Sequence, residues 1–482
     1  MFEWISQLFA PRGGGVPRRR VRHTILARYD AAQTTVENRR HWAAADNLSA
    51  NAANSPEVRK ILRARARYEV ANNSFARGIV NTIANYTIGS GPQLQVRTDD
   101  NVVNDAIEDR FGEWADEVRL AEKLRVMRMA CVQDGEAFAI LKTNRRLESP
   151  VKLDLQLVEA DQVTTPGLTL PRPGQVDGII FDEFGNPQYY SILRHHPGDP
   201  SVGLALEADL IKAEFVIHYY HVDRPGQCRG IPELTPALPL FAQLRRYTAA
   251  VLAAAETAAD IAAVLQSDSP AYIPEDQAVT PFDVVELEPR MATVLPAGWK
   301  IGQIEAHHPS TTYSEFVRQI LCEIARCVNM PLAVALGDAS QHNYASGRLD
   351  YQNWYRALKV ERSLIERVIL TPILRTWLNE AILVSDFLPL RVRMVPFTQL
   401  RREWFWDGLE HVDPVKEATA RKILLEANLT TLANECARDG KDWETVQKQR
   451  AKEIALQREL GLTVPETVPT TGNNTKDNDD DE

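Results

Sequence analysis

The histidines and cysteines are where chemistry would first be sought. Six of the ten histidines fall in pairs, His195/His196, His218/His221 and His307/His308. With Cys228, His218 and His221 supply the residue types of a metal site. Their spacing argues against one. Three residues apart in a strand pattern, the two rings point to opposite faces, and adjacent histidines diverge in the same way. Cys322 and Cys327, five apart on a helical pattern, do not have the spacing of a zinc knuckle, so no metal ligand set and no cofactor is expected.

Enzyme signatures are absent too. The sequence contains no G-x-x-x-x-G-K-[ST], no G-x-S-x-G and no H-E-x-x-H. The "GSGP" at 89–92 reads as a helix stop rather than a dinucleotide fingerprint. "DGEAF" (134–138) holds two carboxylates, but Asp-Gly-Glu before a strand reads as a turn. Neither ATPase nor nuclease chemistry is expected.

Two other stretches stand out. "RPGQCRG" (224–230) is a tight Pro/Gly loop with Arg224 and Arg229 at its ends, either a solvated turn or an arginine-bearing contact between subunits. "LGDASQHNYASGRLDYQNWYRALKVERS" (336–363) starts as a polar loop and becomes a long helical pattern. Its Gln341, His342, Asn343, Tyr344 and Ser346 offer hydrogen bonding without strong fixed charge.

The elements that must position these residues follow from periodicity. Ser55-Pro56-Glu57 is a helix start. Tyr68, Phe75, Ile79, Ile83 and Tyr86 continue at helical spacing until Gly89, Gly91 and Pro92. A further helix is expected over 103–133. Strand patterns cover 135–142, 151–160, 178–194 (two strands around a Gly-Asn-Pro turn) and 214–222, which implies an α+β domain with an antiparallel sheet. An Ala-rich helix is expected over 233–265, then short strands at "FDVVELE", "MATVL" and "WKIGQIEA", and a second helix over 313–329. The long helix, 347–382, spans roughly 50 Å. It carries the stripe Trp354, Leu358, Ile365, Ile369, Ile373 and Trp377, with a kink expected at Pro372. "LPLRVRMVPF" (388–397) reads as a returning strand, and 412–460 as charged helices.

At 482 residues the chain is too long for one core. A net charge of −10 disfavours tight wrapping of nucleic acid but not its passage. The arginines before residue 29 and the acidic "TKDNDDDE" end read as solvated tails. Five scattered cysteines, an odd count, read as reduced thiols, and no apolar run reaches membrane-spanning length.

Four segments, in order, carry a resemblance: "RYEVANNSFARGIVNTIANYTIGSGPQLQ", "FDEFGNPQYYSI", "HVDRPGQCRGIPELTPAL" and "ALGDASQHNYASGRL". Together they resemble the portal proteins of tailed bacteriophages, of the lambda-like type. The resemblance implies a multidomain α+β subunit with long helices and a small antiparallel sheet. It would have a basic N-terminal arm (1–54), a wing (55–232), stem helices (233–265 and 312–330) and a clip between them (266–311). A tunnel loop (331–346), a long wing helix with a returning strand (347–411), crown helices (412–462) and an acidic tail (463–482) would follow.

It also implies a homo-oligomeric ring, dodecameric in the family, at one capsid vertex of the virion, assembled in the host cytoplasm. Double-stranded DNA would pass through its channel during packaging and ejection. Its partners would be the terminase large subunit, a head-completion adaptor and the major capsid protein or scaffold, with no membrane. Gln341, His342, Asn343, Tyr344 and Ser346 would face the channel. Arg224, Arg229 and Arg348 are candidates for subunit contacts. The alternatives are another ring-forming head–tail adaptor or a DNA-processing enzyme.

Overall fold

The structure, a computed structural model, describes residues 36, 39–165, 174–200, 207–259, 263–267, 299–303, 310–338, 340, 344–408 and 414–462. Met1–Ser49 and Ala50–Glu482 are separate units. In the first, a turn over 39–44 sets the His41 and Trp42 rings edge to face at 4.5 Å. Every element below belongs to the second.

A short helix, α1 (Ala50–Ala53), precedes α2 (Pro56–Asn72). Ser55 caps α2 by accepting the Val58 N–H, and Pro56 fills the first helical position, as the sequence indicates. The expected single helix through Tyr86 breaks at Asn73. Its backbone is extended, and its side chain accepts the N–H groups of Phe75 and Ala76 to start α3 (Ser74–Ile88). The helix stop then falls at Gly89, with φ 60°. The backbone there favours glycine, and a Cβ would lie 2.0 Å from Asp407 Oδ2, so the Asp407 carboxylate would have to move. Strand β1 (Gln93–Val96) follows. The helix expected over 103–133 is likewise two, α4 (Asn101–Glu117) and α5 (Leu120–Asp134), parted at Arg119 in a left-handed conformation.

Strands β2 (Glu136–Thr143) and β3 (Leu153–Val158) come next, then β4 (Gln175–Val176), β5 (Ile179–Phe181), β6 (Pro187–Leu193), β7 (Ala208–Lys212) and β8 (Val216–Tyr220). The expected strands are present, but they form two antiparallel sheets, ordered β3-β2-β8 and β4-β5-β6-β7. Phe138, Ile140, Ile179, Tyr190 and Ile192 form a shared core cluster between them.

Helix α6 is Leu238–Ala259, not 233–265. A 3₁₀ turn at Thr235–Ala237 precedes it, where Pro236 and Pro239 delay the regular ladder. At the other end Leu265 lies in β9 (Ala263–Ser267), which pairs antiparallel with β10 (Trp299–Gln303). The strands expected at "FDVVELE" and "MATVL" lie outside the described residues. Helices α7 (Ser310–Cys327) and α8 (Leu332–Leu336) follow. α7 buries Ile320 and Ile324 against α6, whereas Phe316 is 46 % exposed.

The long helix is α9 (Tyr344–Ile365), a π-helical segment (Glu366–Leu370) and α10 (Thr371–Leu383). All six stripe residues are buried. Pro372 has no N–H for the carbonyl four residues earlier, and the widened π segment sits where that ladder is interrupted. The strand expected over 388–397 is instead a 3₁₀ turn (Leu390–Met394). Pro389 and Pro396 bracket it and cannot donate to a ladder. The true strand is β11 (Arg402–Phe405), paired with β1. Helices α11 (Pro414–Glu426), α12 (Leu432–Arg438) and α13 (Trp443–Glu459) complete the charged helical end.

The largest core joins α4, α5, β2, β3 and α10 around Trp114 and Trp377, both fully buried. Trp114 Nε1 donates to Leu153 O at 2.9 Å. A second core joins α2, α3, α6, α7 and α9 around Phe241, Ile324 and Trp354.

Candidate functional site

Helix α2 carries Arg59, Arg63 and Arg67 four residues apart, so all three leave one face. They meet acids at the end of α5, at the start of β2 and in the loops beside the sheets: Arg59 pairs with Asp177, Arg63 with Glu136, and Arg67 with Asp134 and Asp161 at 2.6 Å each. Glu136 is the centre, with no exposed surface. Its oxygens accept from Arg229 Nε (3.0 and 2.9 Å), Arg229 Nη2 (2.7 Å) and the Gly230 N–H (3.0 Å). His218 Nε2 lies 3.0 Å away. Burial alone would raise the Glu136 carboxyl; Arg229, His218 and Arg63 outweigh it and hold the group well below the usual carboxylate range. Burial lowers His218.

Two glycines allow this crossing. A Cβ on Gly230 would sit 2.0 Å from Gly135 O, and one on Gly135 would sit 2.4 Å from Ile231 C. The start of β2 and the 224–236 loop therefore touch backbone to backbone.

A second cluster lies at the root of α6. Arg128 on α5 pairs with Glu233, Nη2 to Oε2 3.1 Å. His221, just after β8, sets Nδ1 3.3 Å from Glu233 Oε1 and Nε2 2.8 Å from Glu361 Oε2 on α9. Tyr219 donates its hydroxyl to Glu361. Burial would lower the imidazole, but the two carboxylates push it up to about 10. Protonated, it donates to both. This cluster fixes α5, β8, the lead-in to α6 and the long helix to one another.

His218 and His221 do face opposite ways, one to Glu136 and the other to Glu361. Cys228 is with neither; its Sγ lies 3.4 Å from Gly226 O. Cys131, His221 and Glu233 instead bring ligand-type atoms within 4.8 Å of one another, as do Glu159, Asp161 and His196. In the first group Arg128 and His221 already neutralise Glu233, so two cations stand where an ion's charge would go.

The expected site residues separate. Within the subunit the Arg229 side chain is fully buried and committed to Glu136, Asp177 and the carbonyls of Val163 and Ala160. Arg224 is exposed on the same loop, and Arg348 is exposed on α9. Residues 341–343, with Gln341, His342 and Asn343, lie outside the described residues. Tyr344 is the first residue of α9, and Ser346 is exposed in its first turn. The loop expected over 331–346 thus includes α8, which ends at Gly337 with φ 66°. Arg362, one turn beyond Leu358, secures the long helix by donating to Tyr86 O, Thr87 O and Asp407 O at 3.0–3.2 Å.

The family model described as "Phage portal protein, lambda family" matches residues 37–362, more than half of the chain. The chain belongs to the lambda family of phage portal proteins. The resemblance and the α+β fold class are therefore borne out, and with them the portal function. The probable portal protein of Halomonas phage phiHAP-1 is 25 % identical over 438 residues, covering 84 % of this chain and 82 % of that one. Portal protein B of Escherichia phage lambda is 26 % identical over 159 residues, 32 % of this chain and 30 % of its own length. Among solved structures, a chain from the neck of an empty gene transfer agent particle is 15 % identical with a TM-score of 0.44, covering 78 % of this chain and 93 % of that one. An HK97-family phage portal protein from Corynebacterium diphtheriae is 12 % identical with a TM-score of 0.25, covering 48 % of this chain and 65 % of that one. The portal family is structural rather than enzymatic.

Proposed function

We propose that this portal protein is one subunit of a closed ring, dodecameric, at a single capsid vertex, and that double-stranded DNA crosses its channel in both packaging and ejection. The observation that carries this is the portal-family match over 37–362, which includes the root of α6, α7 and the polar segment before α9. The paired helices α6 and α7 would line the channel as the stem. Their contact is aromatic: Tyr247 and Tyr313 stack at 5.7 Å, and Tyr247 meets Phe316 at 4.5 Å. Residues 266–311 would form the clip that receives the terminase large subunit and later a head-completion adaptor. The wing would face the major capsid protein or scaffold, with assembly in the host cytoplasm.

Within this reading the polar segment ending in Gln341, His342, Asn343, Tyr344 and Ser346 touches DNA by weak polar contacts. An acidic balance, −10 overall, favours passage over retention by phosphate contacts. Rigid mounting supports the role, since α9 is tied to β8 and the α6 lead-in through Glu361 and His221, and to α3 through Arg362. The chain itself supplies no catalysis.

The test is to delete Gln341–Tyr344 and compare particles with wild type. Ring formation should persist while DNA retained per capsid falls. Normal retention without the segment would remove it from the mechanism.

A further inference from the structure

Helix α13 meets the body of the chain through carboxylates. Its N-cap, Asp442, accepts from Gln95 Nε2 on β1 at 2.6 Å as well as from its own first turn. Six residues further on, Lys448 Nζ lies 2.9 Å from Asp105 Oδ2 on α4. Beside these, Glu108 of α4 is half-buried and accepts the Val96 N–H at 2.6 Å. Backbone contact adds to the joint: a Cβ on Gly408 would lie 2.2 Å from Arg438 O, and one on Gly440 would lie 2.7 Å from Trp406 O.

The charges around Glu108 are unbalanced. Asp105 comes from α4, and Asp442 and Glu444 from α13. The cation α13 brings here, Lys448, is paired with Asp105. On the β1–β11 side, Arg97 and Glu403 pair with each other at 2.8 Å. Helix α13 has no buried residue of its own, so this joint holds it with little apolar support.

We propose that the joint between α13 and the α4–β1 surface is a proton-operated latch, closed while Glu108 carries a proton and loosened when it ionises beside Asp442, Asp105 and Glu444. Burial, then these three carboxylates, push the Glu108 carboxyl up to about 7 despite the Val96 N–H. The sign follows from linkage. An acid whose value is raised by docking gives its full stabilisation below its ordinary value near 4.5; that is lost as pH rises and is gone above about 7. Acidification tightens α13 and alkalinisation frees it. Nothing in this depends on the ring or on DNA.

The experiment is amide hydrogen exchange of α13 in the full chain, corrected for intrinsic rates, from about pH 5.5 to about pH 8. In wild type, protection should fall by up to about tenfold per pH unit through the lower half of that range, while protection in α5 stays level. Glu108→Gln keeps the acceptor for Val96 and should hold α13 protection constant. Asp105→Asn and Glu444→Gln should each move the wild-type midpoint to lower pH, which a purely structural contact would not do. A flat wild-type profile, a Glu108→Gln slope equal to wild type, or unmoved midpoints would each overturn the latch.

Discussion

Glu136 and Arg229 face each other with no exposed surface on either, Nη2 to Oε1 2.7 Å. Around that pair the chain gathers Arg63, His218 and the Gly230 N–H, so one carboxylate holds α2, β2, β8 and the 224–236 loop in register.

Removing that charge should be costly. Glu136→Gln keeps the shape but leaves Arg229 and Arg63 buried without their counterion. Loss of one partner of a buried pair destabilises by about 3–5 kcal/mol. Denaturant titration of the purified protein would read this as a lower midpoint. A shift under about 0.5 kcal/mol, the range of ordinary surface changes, would show that the pair does not hold the joint.

The second cluster has its own pH signature. His221 is raised from its ordinary 6.5 to about 10. Its contribution is therefore complete below about 6.5 and is lost as pH rises through about 10. Hydrogen bonds to charged groups contribute roughly 1.5–3 kcal/mol each. The stability difference between wild type and His221→Gln should be of that order at neutral pH and shrink toward pH 10. A difference that stays constant across that window would contradict a protonated bridge between Glu233 and Glu361.

More of the fold than of the site is legible in the sequence. The Ser55 cap, the Gly89 stop and the long buried stripe are local or periodic signals, and each is realised. The breaks at Asn73 and Arg119 depend on single backbone conformations that periodicity does not register. Pro389 and Pro396 did argue against a strand at 388–397, and the alternation of apolar residues hid that signal. The end of α6 was not legible, because Ala-rich sequence continues past Ala259 and the partner of β9 lies more than thirty residues on. The site is hidden in the sequence because Asp134-Gly135-Glu136 has the composition of an ordinary turn. Its signal lay in α2, where Arg59, Arg63 and Arg67 repeat every four residues and require buried or facing acids. Arg229 was singled out from its loop, but only the fold shows that it points inward.

Arg224 and Arg348 are left as the exposed arginines proposed for subunit contacts. Arg224→Ala and Arg348→Ala should leave the stability of the subunit within about 0.5 kcal/mol while lowering the assembled fraction in sedimentation at a fixed concentration. Assembly unchanged in both variants would exclude these side chains from the interface.

The central claim is that this chain closes into a ring around a channel. Negative-stain or cryo-electron microscopy of the purified full chain tests it most directly. Heterologous contacts that close give a cyclic assembly, so the images should show rings of about twelvefold symmetry with an open centre. Particles that remain single chains at every concentration imaged, or open filaments without a central hole, would contradict it.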